Sequence, residues 1–129
     1  MTNLPDDTTL ADHKRQAADW FKSLRDDICA AFETIEDDLT GTFADRPPGR
    51  FEQTEWRRPD SSSGLSAGGG VMSVMRGRVF EKVGVNVSVV EGEFSESFRR
   101  EITGAENDGH FWAAGISLVA HMQSPLVPA

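Results

Sequence analysis

The alternation in residues 79–92 is the sequence feature that most limits how this chain folds. In "VFEKVGVNVSVVEG", valine occupies positions 83, 85, 87 and 89, with Gly84, Asn86 and Ser88 between them. A period of two is that of a β-strand, whose side chains alternate between opposite sides of a sheet. The segment therefore predicts a strand with one apolar face and one small, polar face.

The N-terminal segment has the other period, that of a helix. Its apolar residues recur at a spacing of three and four: Trp20, Phe21, Leu24, Ile28, Ala31, Phe32, Ile35 and Leu39. Acidic residues lie opposite this stripe, which predicts one long helix that serves packing rather than chemistry. Thr9 and Asp12 have the spacing of a capping box, and Gly41 suits the exit from the helix.

Strand patterns follow the segment "TFADRPPGR", whose prolines and glycine predict a turn or linker. "RFEQTEWRR" predicts a strand with Trp56 and Arg58 on the same side, and "PDSSSGLSAGGG" predicts a loop. "VMSVMRGRVFEKVGVNVSVV" predicts two or three short strands that meet near residues 76–77 and 82–84. A polar stretch at 94–110 with a short helical turn precedes the strand "FWAAGISLVAH", which the prolines of "MQSPLVPA" end.

Short connections between these strands make them antiparallel, because parallel neighbours need a long crossover. The 129 residues therefore predict an α+β fold in which an N-terminal helix packs on an antiparallel sheet. The length fits one domain, in which we distinguish an acidic helical segment at 1–45 and antiparallel strands at 46–129.

The net charge of −8 is unevenly distributed, since residues 1–45 carry eleven acidic and four basic side chains. The chain lacks the basic stripe expected of a nucleic-acid-binding protein. A local anion site remains open as an alternative to simple solubility for a group of arginines: Arg46, Arg50, Arg57, Arg58, Arg76 and Arg78. Apolar runs are about half of the ~20 residues of a membrane span, and the polar start is no signal peptide, so we expect a cytoplasmic protein.

Isolated chemical motifs fail on geometric grounds. The glycine run leads into a strand rather than a helix, so it is no phosphate loop. The only cysteine, Cys29, has no disulfide partner and is interpreted as core filling, and the three histidines show no metal-ligand spacing. Ser117 and His121 lie about 13 Å apart on one strand, beyond hydrogen-bond reach.

Strand parity nevertheless places Ser117 and His121 on one side of the sheet. Two side chains too far apart to act on each other can both touch one broad, flat ligand, and the small face at Gly84, Asn86 and Ser88 offers room for it. The alternative is an ordinary half-exposed strand with its polar residues toward water. Spacing alone leaves both interpretations open.

Two long segments carry a resemblance that favours the first interpretation. "GGGVMSVMRGRVFEKVGVNVSVVEG", followed by "FWAAGISLVAHMQSPLVP", resembles the oxygen-dependent coproporphyrinogen III oxidases. That family has a tryptophan and an arginine before a glycine run, then a "VFEK-GVN-S-V-G" segment and a "G-SLV-H---P-VP" strand. Residues 56–128 match in order and spacing, whereas the N-terminal helix matches by position only.

The resemblance implies an enzyme of haem synthesis that oxidatively decarboxylates two propionates of coproporphyrinogen III to vinyl groups, giving protoporphyrinogen IX. Molecular oxygen is the co-substrate, no organic cofactor is implied, and some members are described with a divalent metal. The implied fold is a broad, flat antiparallel sheet covered by helices, in a homo-oligomer, usually a homodimer. No membrane span or nucleic-acid partner is implied.

Matched residue by residue, Ser117 falls on the family's substrate-binding serine and His121 on a histidine assigned to metal binding or the active site. Arg58 matches the arginine after the tryptophan, which suits pairing with a propionate or a structural ion pair. The role of Asn86, within the sheet or toward the ligand, stays open.

One departure concerns the family's "H-N-R" segment, which carries its proposed acid or base and follows "P-VP". The sequence stops at Ala129, so we assign no catalytic residue and expect the chain on its own to be inactive. The alternative is a non-enzymatic fragment that binds a tetrapyrrole or associates with itself.

Overall fold

A long helix packs on one face of a four-stranded antiparallel sheet in the computed structural model, which describes residues 4–60 and 67–128. The elements in chain order are α1 (Asp7–Asp37), β1 (Glu52–Arg57), β2 (Gly68–Met75), β3 (Phe80–Glu93), α2 (Glu96–Arg99) and β4 (His110–Met122). The predicted α+β class is confirmed. No helix within the described ranges has the length and apolar character needed to cross a membrane.

The four strands form a meander in which each strand pairs with the next along the chain, in the order β1-β2-β3-β4. The predicted antiparallel pairing is therefore confirmed, as are the turn at residues 76–77 and the short helical turn in the polar stretch. Helix α1 runs over β3 and β4.

The core lies between α1 and the alternating valines of β3. Val83 and Val85 are fully buried together with Met75, and Phe80 is 6% exposed. Cys29 of α1 belongs to this cluster, which confirms its role as core filling. Apolar and polar residues therefore alternate along β3 because the helix covers one side of the strand, as predicted.

The ends of α1 differ from the predicted ones. Asp6 is the N-cap, and its carboxylate accepts a hydrogen bond from the backbone N–H of Thr9 at 2.7 Å. The predicted capping box is wrong because Thr9 is not the N-cap. It is the third residue of the helix, and its backbone N–H donates to the N-cap residue Asp6. The helix ends at Asp37, so Gly41 lies in the following turn rather than at the exit.

The predicted apolar stripe of α1 is only partly buried. Trp20 is 59% exposed and Ile35 is 48% exposed, whereas Cys29 lies in the core. The sheet covers only a narrow side of a single helix that lies on it. The prediction that Trp20 and Ile35 pack in the core is therefore wrong in the described structure.

The glycine run belongs to a strand, not to a loop. Gly68, Gly69 and Gly70 begin β2, and residues 61–66 of the predicted loop lie outside the described ranges. A Cβ atom would lie 2.2 Å from the carbonyl oxygen of Trp56 at Gly69, and 2.3 Å from that of Val87 at Gly70. The backbones of neighbouring strands approach so closely here that only glycine fits. From the sequence alone, the same glycine run predicts a flexible loop.

Strand β3 is also longer than predicted, because it continues through residues 82–84 without a break. The ladder instead has an irregularity between Phe80 and Lys82. Such a bulge places Phe80 and Val83 on the helix side of the sheet, where both are buried. The prediction of a third short strand is wrong.

A buried carboxylate joins the end of α1 to the turn between β2 and β3. Glu36 is fully buried, and its two oxygens accept hydrogen bonds from four backbone N–H groups at 2.8–3.1 Å, those of Gly49, Arg78, Val79 and Phe80. Burial raises the pKa of Glu36, and the four donors outweigh it, so the pKa lies below its ordinary value of 4.5.

Arg78 completes this junction from the other side. Its guanidinium donates to the carbonyl oxygens of Glu36 at 2.7 Å and Asp37 at 3.0 Å, and to two carbonyls of the segment that follows the helix. Arg50 pairs with Asp37 at 2.8 Å, and the Arg46 guanidinium lies 3.9 Å from the Phe43 ring centroid. Three of the six early arginines therefore stabilise the fold.

Candidate functional site

The sheet has two faces of different character. We call the face with Val83 and Val85 the helix face, and the opposite one the open face. The open face carries three directly paired sets from β3 and β4: Gly84 with Val119, Asn86 with Ser117, and Ser88 with Gly115. Directly opposed residues of an antiparallel pair point to the same side. The structure thus brings the small face of β3 together with Ser117 and His121, as the sequence predicts.

The pair Asn86 and Ser117 is the polar centre of the open face. The Asn86 Nδ2 donates to Ser117 Oγ at 3.5 Å, a long hydrogen bond, and Ser117 is exposed. The Asn86 Oδ1 is buried and has no hydrogen-bond partner among the described residues. This pair therefore keeps hydrogen-bonding capacity that the described structure does not use.

One depression lies beside this pair, on a row of paired residues that crosses all four strands and is small on every strand except β1. Trp56, Gly70, Ser88 and Gly115 are successive partners in the register. We call this depression, of about 220 Å³, the tryptophan depression. A Cβ at Gly70 would lie 2.9 Å from the Trp56 indole, so the ring lies against Gly70, whereas a Cβ at Gly115 would meet nothing within 4 Å.

A second depression lies on the other side of the pair. We call it the histidine depression; it has a volume of about 380 Å³, and its lining residues are Met72, Val74, Lys82, Gly84, Asn86, Val119 and His121. Lys82 is the direct partner of His121 in the ladder. Asn86 lines both depressions and Ser117 lines the tryptophan depression only, and we call this pair the ridge between them.

The three residues predicted for the site have different positions. Ser117 lies on the ridge, and His121 is exposed in the histidine depression, which excludes a core histidine. Arg58 follows β1 directly, and its backbone N–H donates to the carbonyl oxygen of Gly68 at 2.9 Å. This bond continues the ladder by one residue, and the placement of the Arg58 side chain on the side of Trp56 stays a prediction. Ser117 and His121 remain four strand residues apart, about 13 Å.

A metal site at His121 does not fit the residues that surround it. No group of three His, Cys, Asp or Glu side chains able to hold a metal ion occurs within the described ranges. The direct ladder partner of His121 is Lys82, a cation that disfavours a second positive charge nearby. The described residues around His121 therefore do not by themselves form a metal site, and its metal-binding role stays a prediction.

Lys82, Trp56 and Gly115 line the open face without having been predicted as site residues. Parity could have found two of them, since Lys82 stands two residues before Gly84 and Gly115 two residues before Ser117. Sequence reasoning missed them because a glycine within a strand also marks bulges and close backbone contacts, and a lysine is an ordinary surface residue.

A third depression, of about 340 Å³, lies on the helix side between α1 and the first two strands. Its cations are Lys22, Arg25 and Arg57, and the inward-pointing Val87 and Val89 form part of its lining. None of the predicted site residues lines it, although Trp56 and Gly70 of the open face do.

Comparison with known proteins agrees with the resemblance in the sequence. A family model described as coproporphyrinogen III oxidase matches residues 16–129. The chain is 53% identical over 117 residues to the oxygen-dependent coproporphyrinogen-III oxidase of Rickettsia bellii strain RML369-C, which covers 91% of this chain and 39% of that protein. The enzyme of the same name from Rickettsia felis is 52% identical over 118 residues, covering 92% and 40% respectively.

The chain thus spans about 40% of the length of these curated relatives. The match nevertheless includes all four strands and most of α1. The chain belongs to the coproporphyrinogen III oxidase family.

Proposed function

We propose that this chain forms one wall of the substrate site of an oxygen-dependent coproporphyrinogen III oxidase of haem synthesis. The complete enzyme converts two propionates of coproporphyrinogen III to vinyl groups with molecular oxygen as the oxidant and without an organic cofactor, which gives protoporphyrinogen IX. The observation that carries this proposal is the ridge of Asn86 and Ser117 on the open face, with a depression on either side.

The dimensions of the open face suit a large, flat ligand. Four strands about 4.8 Å apart give a width of roughly 14 Å, and the seven residues from Lys82 to Ser88 span about 20 Å along β3. This surface is too broad for a small metabolite but suits a macrocycle with four rings. Trp56, 39% exposed, supplies an aromatic side to one end of it.

In this proposal the chain binds and orients the substrate. The Ser117 hydroxyl and the Asn86 amide hydrogen-bond polar groups of the macrocycle, which include pyrrole N–H donors and propionate acceptors. The Arg58 guanidinium suits a bidentate pair with a propionate at the rim. These contacts fix where the substituents lie, and positioning errors of ~1 Å can cost about a hundredfold in rate.

For the chain on its own we propose binding without turnover. On the open face, within the described ranges, Ser117 and His121 lie too far apart to work as an acid and base pair. Incubation of the purified chain with coproporphyrinogen III under air should leave protoporphyrin fluorescence at the background rate. Turnover that tracks the purified chain and disappears in His121→Ala would contradict this part of the proposal.

Substitution of Gly115 tests whether the open face binds the substrate. We expect Gly115→Val to keep or raise the melting temperature, because its Cβ enters open space and β-branched residues favour strands. The same side chain would occupy the tryptophan depression and should weaken binding of coproporphyrin III at least tenfold in a fluorescence titration. A stable variant that binds as tightly as the unaltered chain would contradict the proposed face.

We further propose that the protein is cytoplasmic and that copies of it associate. Within the described residues β4 pairs with β3 only, which leaves one side of a 13-residue strand for another chain. Leu118, 47% exposed on this strand, should be central to that contact. Sedimentation should show association that Leu118→Lys reduces, and a strictly monomeric, folded chain at high concentration would contradict it.

A further inference from the structure

We infer that the histidine depression is a carboxylate-binding site in which the Lys82 ammonium and the His121 ring hold one propionate of the tetrapyrrole. The inference rests on the proposed function. It adds Lys82 to the residues that bind the substrate, and it places one propionate of the substrate in the histidine depression. It replaces the expected metal at His121 with an anion, because the residues that line the depression include a cation and no carboxylate.

Lys82 is placed to bind an anion. Its side chain lies on the open face directly opposite His121, at the spacing of about 5 Å between neighbouring Cβ atoms of paired strands. None of the ion pairs among the described residues involves Lys82. An ammonium and an imidazole on one wall therefore offer two donors to a single carboxylate, and the charge-assisted bond is the stronger kind.

The floor of the depression is a glycine that the backbone does not demand. Gly84 has no positive φ, and the nearest atom to an added Cβ would be Asn86 Nδ2 at 3.7 Å, an ordinary contact. Glycine within a strand destabilises it by roughly 0.5–1 kcal/mol relative to alanine. An unforced glycine beside Lys82 thus leaves room above the strand for the arm of a ligand.

Apolar side chains form the rest of the wall. Met72 is 44% exposed and Val119 is 60% exposed, and both line the depression. Methylene groups of a propionate and the edge of a pyrrole suit these surfaces, while Lys82 and His121 suit the carboxylate at its end. The tryptophan depression has no lysine or arginine in its lining. The histidine depression therefore suits the charged part of a macrocycle, and the tryptophan depression suits the aromatic part.

The test compares two porphyrins that differ only in charge. The purified 129-residue chain is titrated with coproporphyrin III and with its tetramethyl ester, in the same detergent buffer, by porphyrin fluorescence. We expect Lys82→Met to weaken binding of the acid about tenfold and to reduce its salt dependence, with little effect on the ester. Lys82→Arg should retain most of the affinity, and the matched control Lys22→Met, on the helix side, should retain all of it.

Each failure has its own pattern. Equal affinity of Lys82→Met and the unaltered chain for the acid would overturn this inference, and it would leave the proposed function standing if Gly115→Val weakens binding at least tenfold. Equal weakening of acid and ester would also overturn it, since Lys82 would then act through packing rather than charge. No saturable binding by the unaltered chain would overturn the proposed function and this inference together.

Discussion

The two faces of the sheet use the same strands in opposite ways. On the helix face, Val83, Val85 and Met75 are fully buried, and the packing there fixes which residue types are allowed. On the open face, several paired positions carry small or polar residues that no helix of the described chain covers, such as Ser88 and Gly115. One face is therefore explained by folding, whereas the other has more room than folding requires.

Two glycines in one row of the sheet also differ in whether the fold requires them. Gly70 is fixed by the fold, because an added Cβ would collide with the Val87 carbonyl and the Trp56 ring. Gly115, two strands away, has nothing within 4 Å of such an atom. An identical residue type thus has a structural reason at one position and, in our proposal, a ligand-binding reason at the other.

The largest effect on stability is expected at the buried carboxylate of the helix side. Glu36→Ala leaves four backbone N–H groups without their acceptor, and we expect a loss of about 4 kcal/mol or an unfolded chain. Glu33→Ala is the matched control, because the Glu33 carboxylate accepts a single backbone bond, from Phe51 at 3.0 Å. Urea unfolding should show a loss of about 1 kcal/mol for the control, and equal losses would refute the special role of Glu36.

A smaller effect separates the two glycines. Gly70→Ala should destabilise the chain by roughly 2 kcal/mol through overpacking against backbone. Gly115→Ala should leave stability unchanged or raise it by up to about 1 kcal/mol, since alanine reduces the freedom of the unfolded chain. The measurement is the urea midpoint of each variant, and a comparable loss at Gly115 would show that the open face is also shaped by packing.

Acid should weaken the helix side through Glu36. The pKa of its carboxyl is depressed in the folded state, so its contribution is present above about pH 4.5 and is lost as the pH falls through the lower folded value. We expect Glu36→Gln to be less stable at neutral pH and to have a flatter stability profile below pH 4.5 by urea unfolding. An acid limb of the same slope in both proteins would contradict this assignment.

The smallest effect on stability is expected on the ridge. Ser117→Ala removes an exposed hydroxyl and a long hydrogen bond, and should change the free energy of unfolding by less than about 0.5 kcal/mol. Loss of one hydrogen bond to the ligand should nevertheless weaken coproporphyrin III binding about fivefold in a fluorescence titration. A large loss of stability with unchanged affinity would reverse the contrast between the two faces.

Local patterns in the sequence determined much of this architecture. The period of two in β3 reports directly which side chains are buried, so the face of Gly84, Asn86 and Ser88 was predictable, as was its match with Ser117. The helix existed where its period predicted, although its cap at Asp6 and its end at Asp37 were missed. The family followed from motifs in residues 56–128, because their order and spacing are specific.

Tertiary structure alone decided what depends on contacts between distant segments. The burial of Glu36 arises from the meeting of the helix end with a turn 42 residues later, a meeting that no local period encodes. The glycine run is a strand because three backbones approach closely there, and Lys82 faces His121 because a bulge sets the register of β3 against β4. Periodicity fixes the side on which a residue points, whereas only the packed sheet fixes which residue it meets.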